Sequence, residues 1–177
     1  MDQNRGILFL AGPLHGGSAV QMKREYTNST TLIFDENGRY LSLAQTALWR
    51  MRQAHNWICV AAEGEAAAIA VALAAQLPVD RLALAGSGLF SPRQKGQDRE
   101  LARLSAYARR NLSLVISEIM LIGAAERELR GFLRGRARGR ICAVEERETG
   151  WESCLDLLAS PWEQACQNNL LIPSKCV

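Results

Sequence analysis

The first ninety residues alternate between short apolar runs and stretches with helical spacing. The apolar runs have the length of strands that are buried on both faces of a sheet, and they occupy 7–11, 30–34, 57–61 and 81–85. Between them, residues 43–54 carry apolar positions at helical spacing, and residues 65–76 are nearly all strong helix formers. This alternation predicts a parallel sheet with helices on its faces.

The second half continues the alternation with less regular spacing. Amphipathic patterns predict helices over 98–110 and 124–134, and residues 140–145 form a further strand-like run. The run 112–117 fits a fifth strand, with an extension of the preceding helix as the alternative.

The last element is a terminal helix predicted over 151–171, with a break near Pro161. In this helix, Trp151 and Trp162 are expected to be packing residues, or to mark a dimer surface if the helix is not fully covered. All elements together predict a single domain over 1–177: a three-layer α/β/α fold with a mostly parallel sheet of about six strands and no lid domain.

Composition excludes several classes of protein. Hydrophobic residues make up 48% and charged residues 22%, which is typical of a globular domain. No apolar run approaches the ~20 residues needed to cross a bilayer, and no secretory signal is recognisable. The net charge of +3 does not indicate a nucleic-acid partner. We therefore expect a cytoplasmic protein without membrane contact.

The five cysteines and two histidines do not form a metal-binding pattern. No pair has the C-x-x-C spacing, and Cys59 and Cys142 lie inside apolar runs, which favours reduced, inert core thiols. Neither a metal nor another cofactor is predicted.

Function is expected at the turns that follow the strands, because ligands of doubly wound sheets bind beyond the carboxyl ends of the strands. The third of these turns has the most informative sequence. The segment WICVAAEGEAAAIAVALAAQLP resembles the nucleophile elbow of α/β-hydrolases, in which a buried strand and helix flank G-x-S-x-G. Ala62 and Ala66 then take the places of the glycines, Glu63 and Glu65 the variable positions, and Gly64 that of the serine.

Neighbouring segments resemble the same family. ILFLAGPLHGGS is similar to the strand and HG-containing loop that supplies an oxyanion-hole amide, which implies a ligand-binding role for His15 and Gly16. LIFDENGRYLS is similar to the following strand and turn, and RLALAGSGLF, which contains Ser87, to the strand after the elbow helix. The resemblance covers about residues 6–90.

Two members of the family's catalytic triad are missing from this pattern. Gly64 replaces the nucleophile, and no histidine follows His55. Glu118 is the candidate for the acid, but a hydroxyl is a poor nucleophile without an adjacent base. The resemblance therefore implies a non-catalytic pseudohydrolase, similar in this respect to NDR-type proteins, that binds a partner protein or a small ligand at the former active-site cleft.

Two other functions remain open. An enzyme of altered chemistry, of hydrolase or lyase type, would use Glu63, Glu65 or His15, although acidic residues at a helix start are more often simply stabilising. The arginines of LRGFLRGRARGR would contact phosphates in an anion or nucleic-acid binder, but a solvated, salt-bridged surface is the more ordinary interpretation. Ser87 is expected to be a turn serine that lines the cleft. A homodimer is a further expectation.

Overall fold

The structure is a computed structural model that describes residues 4–12, 28–34, 39–85, 99–123, 138–144, 155–158, 160–166 and 170–172. The strands are β1 (Arg5–Ala11), β2 (Ser29–Ile33), β3 (Trp57–Glu63), β4 (Arg81–Ala85), β5 (Glu118–Ile122), β6 (Ile141–Val144) and β7 (Leu170–Ile172). The helices are α1 (Tyr40–Ala54), α2 (Ala66–Ala74), α3 (Arg99–Arg110), α4 (Leu155–Leu158) and α5 (Trp162–Cys166).

The seven strands form one sheet in the order β2-β1-β3-β4-β5-β6-β7. All neighbours from β2 to β6 pair in parallel, and β7 pairs antiparallel with β6. The predicted fold class, a mostly parallel sheet within an α/β architecture, is confirmed. The short seventh strand at the edge of the sheet was not predicted.

Alternating strand residues build two apolar cores, one on each face of the sheet. Leu8, Val60 and Leu84 belong to the core on the face covered by α1, α2 and α3. Their neighbours Ile7 and Cys59 belong to the opposite core, which α4 and α5 cover. Strands of this kind have no polar face, which is why their sequences read as unbroken apolar runs.

Helix α2 is buried on every side. Each of its nine residues exposes 6% or less of its surface. Most are alanines, whose short side chains let the helix approach the sheet and the flanking helices α1 and α3 closely. None of the described helices, including this one, is long and apolar enough to span a membrane.

Of the two alternatives for residues 112–117, a strand or an extension of the preceding helix, the strand is wrong. Residues Leu112–Leu114 form a short 3-10 helix, and β5 begins at Glu118. In the connection between them Val115 is buried, whereas Ile116 is 68% exposed. Some apolar residues of this run are therefore buried and others are exposed. The spacing of apolar residues in the sequence does not distinguish this arrangement from a short strand.

The end of the terminal helix predicted over 151–171 is also wrong. Helices α4 and α5 lie on either side of Pro161, as the predicted break requires, but Leu170–Ile172 forms β7. Without β7, the backbone N–H and C=O groups on the outer side of β6 would lack hydrogen-bond partners within the sheet. The antiparallel pairing of β7 with β6 provides these partners. Trp162 is 6% exposed, which confirms it as a packing residue. Trp151 and the helix predicted over 124–134 lie outside the described residues.

A buried cation that the sequence did not reveal lies where the parallel strands begin. We call this end of the sheet the amino edge, and the end where these strands finish the carboxyl edge. Arg81, the first residue of β4, is only 1% exposed. Its Nε and Nη2 donate hydrogen bonds to Oε2 of Glu118 at 3.2 and 2.8 Å. Its Nη1 donates to the carbonyls of Leu157, Leu158 and Ser160 at 2.7, 3.1 and 2.9 Å. One guanidinium thus attaches the end of α4 to the sheet.

Aromatic rings extend this network on both sides. The Arg81 guanidinium lies 5.0 Å from the Trp57 ring centroid and 5.4 Å from that of Trp162. Arg5 lies 5.0 Å from the Trp57 centroid, and Arg140 lies 5.2 Å from the Trp162 centroid. Cations and rings therefore alternate along the amino edge, and each contact is within the range of a cation–π interaction.

We predict that Arg81→Met lowers the free energy of unfolding by about 3 kcal/mol, because Glu118 and three carbonyls lose a buried partner. The matched control, Arg103→Met on the exposed side of α3, should change it by less than about 0.5 kcal/mol. Urea denaturation followed by far-ultraviolet circular dichroism measures both. Equal losses in the two variants would contradict a central role for Arg81.

Candidate functional site

The strand order reverses direction at β1. From β1 the chain passes outward to β2, then returns past β1 to β3, and β4 to β6 follow on that side. In open parallel sheets such a reversal leaves a crevice beyond the carboxyl ends of the two central strands, where ligands bind. The candidate site is therefore the crevice between the end of β1, at Gly12, and the end of β3, at Glu63.

A sharp bend at Gly64 joins β3 to α2. Gly64 has a φ of 58°, whereas Glu65 already has helical angles. The Gly64 amide donates to the carbonyl of Ala85 at 2.9 Å, and the Gly64 carbonyl accepts from Ala67 at 3.1 Å. The bend is thus held by β4 on one side and by α2 on the other. A side chain is strained at such a φ, and glycine avoids that strain.

The residues two before and two after Gly64 are closely packed. Ala62 is 0% exposed and lies between Leu10 of β1 and Leu84 of β4 in the sheet register. Ala66 is 1% exposed and begins α2. Larger side chains at these places would force the strand and the helix apart.

Two carboxylates flank the bend. Glu63, the last residue of β3, is half-buried, and Glu65 is exposed at the start of α2. The Glu65 side chain makes no capping hydrogen bond to the helix, so its contribution to α2 is electrostatic. The pair places two carboxylates beside the bend, one at the end of β3 and one at the start of α2.

Three other predicted site residues, His15, Gly16 and Ser87, lie outside the described residues. The strands that lead to them end at the same edge, β1 at Ala11 and β4 at Ala85. Gly12 follows β1, and a Cβ built on it would meet nothing within 4 Å among the described residues. The ligand-binding roles of these three residues stay predictions.

The second histidine of the chain lies at the opposite edge of the sheet. His55 lies two residues before β3 begins, whereas Gly64 directly follows β3. The seven residues of β3 span roughly 20 Å, which separates the two positions. A Cβ built on Gly6 would come within 2.7 Å of the His55 ring, so this ring packs against the start of β1.

The prediction that Glu118 is the candidate for the catalytic acid is wrong. It is the first residue of β5 and accepts hydrogen bonds from Arg81 and Arg140 at the amino edge. The error follows from the strand predicted over 112–117, which placed Glu118 after a strand instead of at its start. The residue that does follow β5 is Gly123, with a φ of 59° and an amide that donates to Val144.

Cys59 lies two strand residues before Ala61 and contributes to the core, as predicted. Burial raises the pKa of its thiol to about 12. A thiol in this state is protonated at neutral pH and is not a nucleophile. Among the described residues, no group of three or more histidine, cysteine, aspartate or glutamate side chains is placed to hold a metal ion.

No protein-family model matches the sequence, and no curated protein matches it. Solved structures do resemble it. A structure reported for the metagenome-derived lipolytic enzymes LipS and LipT matches with a TM-score of 0.59 at 11% identity. The match covers 81% of this chain and 84% of the matched chain. The chain has an α/β-hydrolase-like fold.

Two further structures support this assignment. Est1E from Butyrivibrio proteoclasticus has a TM-score of 0.54 at 9% identity, over 88% of this chain and 86% of its own. MGS-MChE2, an alpha/beta hydrolase enzyme from a lagoon-sediment metagenome, has a TM-score of 0.52 at 13% identity, over 90% of this chain and 91% of its own. Likeness at such low identity shows the α/β-hydrolase-like fold and leaves the activity to be argued from the site.

We predict that Gly64→Ala lowers the free energy of unfolding by about 1–2 kcal/mol, since alanine is strained at the positive φ of the bend. Gly12→Ala is the matched control at the neighbouring strand end, where a Cβ has open space, and we expect a change within about 0.5 kcal/mol. Urea denaturation measures both. A Gly64→Ala variant as stable as the parent would show that the bend does not require glycine.

Proposed function

We propose that this chain is a non-catalytic protein of α/β-hydrolase-like fold that binds a small ligand or a partner protein in the crevice between β1 and β3. One observation carries the proposal: the bend after β3 is made by Gly64, which has no side chain. In hydrolases of this fold, the strained residue at the corresponding turn provides the attacking hydroxyl.

The positions of the two histidines also support a protein without serine-hydrolase chemistry. The chain contains two histidines, His15 and His55, and both precede β3. The family's base comes from a turn after the last strands, where this sequence has no imidazole. His55 lies about 20 Å from the bend, along the length of β3. A serine placed at 64 would therefore lack a general base.

The position of the crevice supports a binding role. It lies at the point where the strand order reverses, beside the start of α2. Because Glu63 and Glu65 flank the bend, we infer a neutral or cationic ligand rather than a carboxylate.

A second candidate is an enzyme in which Glu63 acts as a general base. The observation that favours it is the position of Glu63, half-buried at the last residue of β3 beside the crevice. Turnover of a small ester or amide that Glu63→Gln abolishes, and that Ser87→Ala leaves unchanged, would favour this candidate over the binding protein.

A fragment titration followed by backbone-amide NMR tests the proposed function. Neutral amides and esters should shift the resonances of Gly12 and of residues 63–66, and the matched carboxylates should bind at least several-fold more weakly. Glu65→Gln should narrow that difference, because it removes one repulsive charge from the crevice.

Two results would contradict the proposal. One is the absence of a shift at Gly12 and residues 63–66 with every fragment at millimolar concentration. The other is a set of shifts confined to the amino edge around Arg81, which would place the binding surface at the opposite end of the sheet.

A further inference from the structure

The segments that lead into β5 and β6 stay in contact at the amino edge, before the strands begin. The parallel ladder pairs Ile119 with Ile141. Three residues earlier on each strand, Ile116 corresponds to Arg138. The Arg138 amide donates to the carbonyl of Val115 at 3.2 Å, so the two segments remain about one strand spacing, or ~5 Å, apart. Ile116 and Arg138 are therefore neighbours.

Buried contacts fix the backbone that carries these two residues. Val115 and Ser117 are 0% and 3% exposed, and Oγ of Ser117 donates to the carbonyl of Val79 at 2.7 Å. A Cβ built on Gly139 would come within 1.7 Å of the Ser117 carbonyl oxygen, so glycine is needed for this approach. A surface built on such a backbone loses little conformational freedom when a partner binds.

Two aliphatic side chains are exposed on this backbone. Leu114 is 51% exposed at the end of the 3-10 helix, and Ile116 is 68% exposed two residues later. Single exposed apolar side chains are ordinary, but apolar side chains held together on the surface are typical of an interaction site.

Four exposed arginines flank the two aliphatic side chains. Arg109 and Arg110 end α3, and Arg138 and Arg140 precede β6. The last two belong to the arginine-rich segment LRGFLRGRARGR, for which the crevice at the carboxyl edge gives no role.

The described carboxylates of this region are already paired. Glu118 binds Arg81 and Arg140, and Glu163 lies 3.8 Å from Arg140. The structure shows no ion pair between the Arg138 side chain and any described residue. Positive charge is therefore in excess beside Ile116.

We propose that Leu114, Ile116 and the flanking arginines, which we call the basic surface, dock a protein segment that combines acidic and aliphatic side chains. The acidic side chains complement the arginines, and the aliphatic side chains cover Leu114 and Ile116. The basic surface lies at the opposite edge of the sheet from the crevice and is independent of any ligand bound there.

Three other occupants fit the basic surface less well. Leu114 and Ile116 are aliphatic and do not stack on nucleic-acid bases as aromatic rings do. Leu114 keeps about half of its surface against the protein, whereas a membrane anchor enters the bilayer by roughly 5–10 Å. A second copy of the chain, joined through the same surface, would place arginines against arginines.

A peptide library displayed on phage tests the proposal. Panning on the native protein should enrich peptides in which aspartate or glutamate lies next to leucine, isoleucine or valine. Fluorescence polarisation with labelled synthetic copies then gives the dissociation constant. We expect it to rise with salt concentration, because salt screens the attraction between the charges.

Matched variants locate the binding. Arg138→Glu should weaken binding of the selected peptides by about tenfold or more, and Ile116→Ser by several-fold. Arg50→Glu and Leu43→Ser make the same kinds of change at exposed positions of α1, which packs on β1, about 14 Å from β5. These controls should leave the dissociation constant within about twofold. Circular dichroism verifies that all four variants are folded.

The proposal is overturned if panning enriches no acidic sequences, or if Arg138→Glu and Ile116→Ser bind the selected peptides as tightly as the parent. Equal losses in the α1 controls would overturn it too. Phosphatidylserine vesicles, a single-stranded RNA and sedimentation of the protein alone test the other occupants. Binding of the vesicles or the RNA, or formation of a dimer, that Ile116→Ser abolishes would assign the basic surface to that occupant instead.

Discussion

The close packing of β3 against α2 is the constraint on which the candidate site depends. The chain reverses from a strand with two buried faces into a helix with no exposed side, and Gly64 makes that turn at a φ of 58°. Ala62 and Ala66 keep the two elements close, and the amide bond to Ala85 fixes the bend to β4. At this turn Gly64 presents backbone alone, and this feature carries the proposed function.

The two edges of the sheet differ in chemistry. At the amino edge Arg81, Glu118 and the stacked tryptophans satisfy one another, so polar groups there hold the C-terminal elements in place. At the carboxyl edge lie the bend, the reversal of strand order and two carboxylates, and this is where we propose that a ligand binds. The length of β3, roughly 20 Å, separates the two edges, so His55 belongs to the amino edge and lies far from the candidate site at the carboxyl edge.

The sequence predicted the elements whose signals are local. The buried strands and the alanine-rich helix have unambiguous patterns, so the doubly wound sheet and the bend at Gly64 followed from residues 1–85. Three features depend on contacts distant in sequence and were missed: the start of β5 at Glu118, the pairing of β7 with β6, and the burial of Arg81. An arginine at the start of a strand is usually exposed, and nothing local indicates that tryptophans and carbonyls from three other elements, β3, α4 and α5, surround it.

The most direct test of the central claim, that the bend lacks an attacking group and its base, is labelling of the native protein with an alkyl fluorophosphonate, read by intact mass. This reagent forms a covalent adduct with a serine that a neighbouring base activates. The account predicts an unchanged mass after prolonged incubation, with an active serine esterase labelled in parallel. A stoichiometric adduct that maps to one serine, and that heat-unfolding of the protein prevents, would contradict it.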